Sequence, residues 1–120
     1  AQLKEYGLTD DKVIFTSVPG AYEIPLAALH LLRSGCEAVI TLGCVIRGET
    51  THYDYVCNSV ERGCTKLQLK YKRPVVFGVL TTENKEQALR RAGGGKGHKG
   101  TEAVDVMMEM LSFKRTYNLD

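Results

Sequence analysis

Two apolar runs constrain the fold more than any other feature of the chain. Glu37-Ala38-Val39-Ile40-Thr41-Leu42 leads into Gly43, and Pro74-Val75-Val76-Phe77-Gly78-Val79-Leu80 follows a basic turn. A strand with one wet face alternates apolar and polar residues. Runs that do not alternate belong to strands covered on both faces, as in a parallel sheet between helices. A third run, Lys12 to Val18, halts at Pro19-Gly20 and is expected to supply another strand.

Helical spacing fills the intervals. Ile24, Ala27, Ala28, Leu31 and Leu32 recur three and four apart, with Pro25 near the start, where it is tolerated. A longer helix is expected from near Thr51 to Tyr71, with Val56, Val60, Cys64 and Leu67 on one face. Asn84-x-x-Gln87 reads as a helix start, with Ala88 and Leu89 inside and Gly93 as the stop. A glycine-rich loop from Gly93 to Gly100 then leads to a last helix carrying Ala103, Val104, Met107, Met110 and Leu111. Met107, Met108 and Met110 read as core and interface filler. This alternation predicts an α/β fold, a three-layer α/β/α sandwich on a parallel sheet with right-handed crossovers. Ala1 to Tyr6 reads as the tail of a helix stopped by Gly7, with Leu3 and Tyr6 three apart. It opens without a cap, and three strands are few for a doubly covered sheet, so the chain is expected to be cut at this end.

At 120 residues, one domain spanning 1–120 is expected. A net charge of +2 with scattered lysines and arginines gives no basic stripe, so no nucleic-acid partner is expected. No run approaches the ~20 apolar residues of a membrane span, and no leader pattern opens the chain. A cytoplasmic location is expected. The four cysteines, Cys36, Cys44, Cys57 and Cys64, contain no C-x-x-C pair of the kind zinc sites use. Buried reduced thiols are expected, Cys44 as a small hydrophobe within its apolar run. Neither a metal nor a redox cofactor is expected.

The segment Gly43 to Tyr55 carries the most chemistry: a strand end, a loop bounded by glycines, then a helix beginning near Thr50 or Thr51. Ligands of open α/β sheets bind beyond the carboxyl ends of the strands, and a helix start favours an anion such as phosphate. Thr50 and Thr51 add hydroxyls, and Gly48 permits close backbone approach. His52, in the first turn, would stand beside that anion as a proton carrier. An ordinary capping threonine followed by a solvated histidine explains the spacing equally well. Val18-Pro19-Gly20-Ala21-Tyr22-Glu23 is a second strand-to-helix turn, able to hold a polyhydroxylated chain. By itself it is better explained by Glu23 favouring the helix dipole. Gly95-Lys96-Gly97-His98-Lys99-Gly100 matches G-x-G-x-x-G but follows a helix, so a dinucleotide site is set aside; it also lacks the Ser or Thr of a phosphate-binding P-loop. It is either a basic loop that closes over an anion or a solvated linker. Arg90 and Arg91 either complement a helix C-terminus or hold a phosphate.

Five segments in order, VPGAYEIPLAA (18–28), LGCVIRGETTHYDYVCN (42–58), PVVFGVLTTEN (74–84), EQALRRAGG (86–94) and HKGTEA (98–103), resemble the lumazine synthase family. The resemblance extends from Leu3 to about Leu111. It implies a flavodoxin-like sheet and a transferase of riboflavin biosynthesis. That enzyme condenses 5-amino-6-(D-ribitylamino)uracil with 3,4-dihydroxy-2-butanone 4-phosphate to 6,7-dimethyl-8-ribityllumazine, releasing phosphate and water. It further implies that Ala21, Tyr22 and Glu23 hold the ribityl chain, and that Cys44, Val45 and Ile46 meet the pyrimidine edge. Glu49 and Thr50 would meet the butanone phosphate, His52 would transfer protons, and Arg91 with Lys99 would grip the phosphate. Phe77 would come from a neighbouring subunit of a homopentamer, which in some members builds an icosahedral shell. The family also begins with an interior strand ending in an Arg-Phe-Asn-like motif, whose aromatic ring stacks on the pyrimidine; that segment is missing here. His98 stands where the family often has Asn, and one lysine of the basic loop is displaced to Lys96. A non-catalytic binder of ribityl compounds or flavins, and a structural shell protein, are the rival readings. The binder would need neither proton carrier nor phosphate grip.

Overall fold

The two non-alternating runs pair as a parallel ladder. The computed structural model describes residues 1–93 and 98–117. In it β1 (Val39–Ile46) and β2 (Val75–Thr82) run in register from Val39 opposite Val75 to Ile46 opposite Thr82. Around them lie α1 (Gln2–Glu5), α2 (Ile24–Arg33), α3 (His52–Tyr71), α4 (Lys85–Arg91) and α5 (Lys99–Thr116). No helix among the described residues is long and apolar enough to cross a membrane.

Helices cover both faces of the sheet. On one face Ile24, Ala28 and Leu32 of α2 and Val56, Val60 and Cys64 of α3 meet Val39, Val75 and Val79. Each helical trio is spaced by four, so one stripe of each cylinder faces inward. Leu32 and Val60 are fully buried, each contributing about 1.5–3 kcal/mol of apolar burial. On the other face Val76 packs with Ala103 and Met107 of α5, with Leu3 and Leu8 at the margin. Gln2 and Tyr6 both donate to the Asp105 carboxylate, at 2.6 and 2.8 Å, and so fasten α1 to α5. The layered α/β architecture with a parallel sheet is thus as expected, with two strands among the described residues.

Helix ends follow local chemistry. The Asn84 side chain accepts the Gln87 N–H at 2.9 Å, and the Gln87 side chain accepts the Glu83 N–H at 2.8 Å, which starts α4. Gly7 and Gly93, just past α1 and α4, take φ of 82° and 108°, where an L side chain would be strained.

Several expectations need correction. Residues 13–18 form no strand: Val13 is extended, but the segment has no ladder partner, and Phe15 is 81% exposed. Strand-like composition specifies an extended backbone, whereas a ladder needs a neighbour about 4.8 Å away. Here residues 16–18 and β1 form opposite walls of a cavity instead. Leu89 is 60% exposed, because the seven-residue α4 buries a single residue, Ala88. Met110 is exposed and Leu111 half-buried, whereas Met107 is buried. Cys44 is exposed because the outer part of β1 is covered on one face only, Leu42, Cys44 and Ile46 lying exposed between half-buried Gly43 and Val45; Cys36 and Cys57 are half-buried, and Cys64 is buried. All four thiols are free. Finally, α5 begins at Lys99, capped by His98, whose Nδ1 accepts the Thr101 N–H at 3.1 Å. Lys99 and Gly100 therefore belong to a helix. The rest of the supposed basic loop, including Lys96, lies outside the described residues.

Candidate active site at the strand ends

The carboxyl end of β1 passes into α3 through residues 47–51, all exposed. His52 is the first residue of α3 and is exposed. Thr51 occupies the cap position without a side-chain capping bond; Thr50 takes that part, its Oγ1 accepting the His52 N–H at 3.3 Å. The bland reading of a capping threonine therefore holds for Thr50. Its hydroxyl proton and second lone pair still remain for a ligand. Glu49 is exposed in the same loop. A helix start leaves N–H groups unpaired and carries partial positive charge. This junction can thus receive an anion with an imidazole beside it.

Ala21, Tyr22 and Glu23 form a short 3₁₀ turn leading into α2. The Glu23 carboxylate folds back over Gly20, 3.2 Å from where a Cβ there would stand. This turn and β1 share a cavity of about 370 Å³, lined on one side by Thr16, Ser17, Gly20 and Ala21 and on the other by residues 39–44 of β1. The structure therefore brings Ala21 and Cys44 together. Val45 packs into the core, while Cys44 and Ile46 are exposed. Tyr22 is exposed.

Phe77 and Lys99 stand elsewhere. Both line a groove of about 350 Å³ along the outer edge of β2, between α3 and α5, whose walls share no residue with the first cavity. Arg91 is exposed in the last turn of α4. Of the expected site residues, Ala21 and Cys44 share the first cavity, and Phe77 and Lys99 share the second groove.

Sequence alone gives Arg47 no role. Its Nη2 lies 3.0 Å from Asp54 Oδ1, its Nε 2.7 Å from Glu83 Oε2, and its guanidinium carbon 4.5 Å from the centre of the Tyr53 ring. The Asp54 hydrogen bond raises the Arg47 pKa. Burial pushes the Tyr53 hydroxyl and the Cys57 thiol up as well. The one sequence signal was Asp54, seven residues on; Glu83 becomes a neighbour only through the β1–β2 register.

Comparison with known proteins converges on one family. The sequence model of 6,7-dimethyl-8-ribityllumazine synthase matches residues 1–115. A protein of that name from Bdellovibrio bacteriovorus is 62% identical over 103 residues, covering 85% of this chain and 58% of the relative. Another from Cytophaga hutchinsonii is 50% identical over 111 residues, covering 92% of this chain and 70% of the relative. The chain thus spans a little over half the length of the first of these relatives and about two thirds of the second.

Proposed function

Because the chain belongs to the 6,7-dimethyl-8-ribityllumazine synthase family, we propose that the complete protein performs that family's reaction in the cytosol, with residues 1–120 as part of one catalytic domain. The observation that carries the reading is the meeting of Ala21 and Cys44 around one cavity, which runs along β1 from Val39 to Cys44, with His52 opening α3 beyond the end of that strand. The ribityl chain lies against Ala21, Tyr22 and Glu23, and the pyrimidine edge against Cys44, Val45 and Ile46. Glu49 and Thr50 meet the butanone phosphate at the start of α3, and Arg91 with Lys99 holds its anionic end. His52 carries protons as the first-formed imine loses phosphate and the ring closes. Orientation of two reactants can supply roughly 7–11 kcal/mol of barrier reduction, against roughly 10²–10⁴-fold for one general acid–base residue. Positioning therefore dominates, and His52 assists.

The separation of Phe77 and Lys99 from the first cavity supports a shared site. A ring in which the β2 edge of one subunit meets the β1 end of the next brings both sets together, and a head-to-tail contact of this kind closes into a cyclic oligomer. A homopentamer, alone or built into a shell, is the arrangement proposed.

The test is a steady-state assay of the complete protein with both substrates, following lumazine absorbance and phosphate release together. Equal rates of both products are expected. A correctly assembled protein that binds the ribitylaminouracil without turnover overturns the enzymatic reading. Sedimentation should give a pentamer or a multiple of it; an active monomer refutes the shared site.

A further inference from the structure

The segment that carries Glu49, Thr50 and His52 is poorly anchored by itself. Residues 47–51 are exposed, Gly48 has open space around it, and Thr51 makes no capping bond. The Arg47 N–H bonds the Thr82 carbonyl at 2.8 Å, which continues the ladder by one residue. Beyond that bond, Arg47 supplies the only side chain of this segment, among the described residues, that forms an ion pair or a side-chain hydrogen bond outside residues 50–52.

Its contacts fix a plane. Nη2 of the guanidinium meets Asp54, on the first turn of α3, and Nε meets Glu83, just past β2. The face lies over Tyr53, the residue after His52. A planar fork held through two of its nitrogens and one face has its orientation determined, which a lysine ammonium cannot reproduce. All three acid and base partners are more than a third exposed, so these pairs add little to global stability. Their effect is geometric: they join the first turn of α3 to the end of β2 across the loop. A misplacement of 1 Å in a positioned group can cost about 10²-fold in rate.

We propose that Arg47 is a positioning residue for the reaction, its guanidinium clamping the start of α3 to the end of β2 so that Glu49, Thr50 and His52 are held in place. The proposal rests on the lumazine synthase reading of the same site and adds a residue that touches no substrate.

The test compares wild type, Arg47→Met, Arg47→Lys, Glu83→Gln and the Arg47→Met/Glu83→Gln double variant of the complete protein. Measured are kcat, KM for each substrate, Tm, and amide hydrogen exchange at residues 50–55. Arg47→Met should lower kcat by about 10- to 100-fold while Tm stays within about 3 °C. Arg47→Lys should recover part of the loss, and Glu83→Gln should cost less than Arg47→Met. The double variant should match Arg47→Met, since the shared contact is already gone. Unchanged kcat in Arg47→Met, additive losses in the double variant, or a kcat loss that merely follows a large drop in Tm overturns the proposal. If wild type forms no lumazine, the functional reading fails and the clamp is judged by exchange alone. Faster exchange confined to residues 50–55 in Arg47→Met supports it, and unchanged exchange there overturns it.

Discussion

Gly63 offers a sensitive test of how the packing holds the site. It lies mid-way along α3, where a Cβ would stand 2.7 Å from both Cβ and Cγ of Pro25, near the start of α2. Carbon atoms rest about 3.5 Å apart or more, so Gly63→Ala must part the helices by about 0.8 Å or distort one of them. The pyrrolidine ring cannot turn aside as a flexible chain end would. Two effects oppose each other. Alanine gains about 1 kcal/mol over glycine inside a helix, while overpacking a fitted contact costs about 1–3 kcal/mol. The net should be a loss of about 0–2 kcal/mol, or several degrees in Tm at fixed protein concentration. Activity should fall further than stability does. Pro25 lies two residues past the Ala21–Glu23 turn, and α3 carries His52, so a wedge at this contact moves two walls of the site apart; about tenfold in kcat/KM is expected. Denaturant titration and steady-state kinetics on Gly63→Ala, Pro25→Gly and the double variant provide the check. The double variant should regain much of what Gly63→Ala loses. A Gly63→Ala protein that is stabilised by the full 1 kcal/mol and keeps its activity would refute the claim that this contact sets the helix spacing.

Other outcomes follow from the site and the thiols. His52→Ala should lower kcat by about 10- to 1,000-fold, at or below the usual range for a general acid–base residue. Added imidazole should restore part of the rate with assembly unchanged, and a rate that imidazole leaves untouched would argue for contact alone. Arg91→Ala should raise KM for the butanone phosphate far more than KM for the ribitylaminouracil, with little change in kcat; equal increases would indicate structural damage. Alkylation of the native protein should reach exposed Cys44 first and buried Cys64 last. Burial raises the Cys57 and Cys64 pKa values, so less thiolate is present at a given pH and their reaction curves shift to higher pH than that of a free thiol. For Cys64 the sign for stability is also defined. A thiol whose folded pKa is raised favours folding below the ordinary thiol value, and that contribution is lost as pH rises through the folded value. Alkaline denaturation midpoints should therefore move up in Cys64→Ala once its packing loss is subtracted, and no shift would contradict the burial.

Much of the architecture could be read from residue order because the cues are local. The four-residue spacing of Ile24, Ala28 and Leu32, and of Val56, Val60 and Cys64, needs nothing beyond the helix period. Asn84 and Gln87 satisfy backbone groups three and four residues away. What failed depends on distant neighbours. Lys12 to Val18 has strand composition, but a ladder requires an adjacent edge. Cys44 sits in an apolar run, yet its exposure is decided by which face of β1 the helices cover. Lys99 was placed in a loop on account of its glycines, whereas His98 caps a helix there through Thr101. The site shows the same division: the Cys44-to-His52 stretch is contiguous and legible, while the separation of Phe77 and Lys99 from it emerges only in three dimensions.

The two ends of the sheet are built differently. At the end where both strands begin, the Val39 N–H bonds the Pro74 carbonyl at 2.9 Å and the Gln68 side chain accepts the Val75 N–H at 3.0 Å. Arg73 donates to the Leu32 and Cys36 carbonyls, at 2.8 and 3.1 Å. At the opposite end Leu42, Cys44 and Ile46 are exposed. Local opening costs least where few apolar contacts are buried, so the root is the more rigid end, and at the tip β1 is held largely by Val45 and by the Arg47 contacts to Asp54 and Glu83. Binding there must spend part of its interaction energy on ordering the protein. A ligand and a neighbouring subunit that both docked at the strand ends would each spare the other part of that cost, so substrate should bind more tightly to an assembled protein than to a dissociated one.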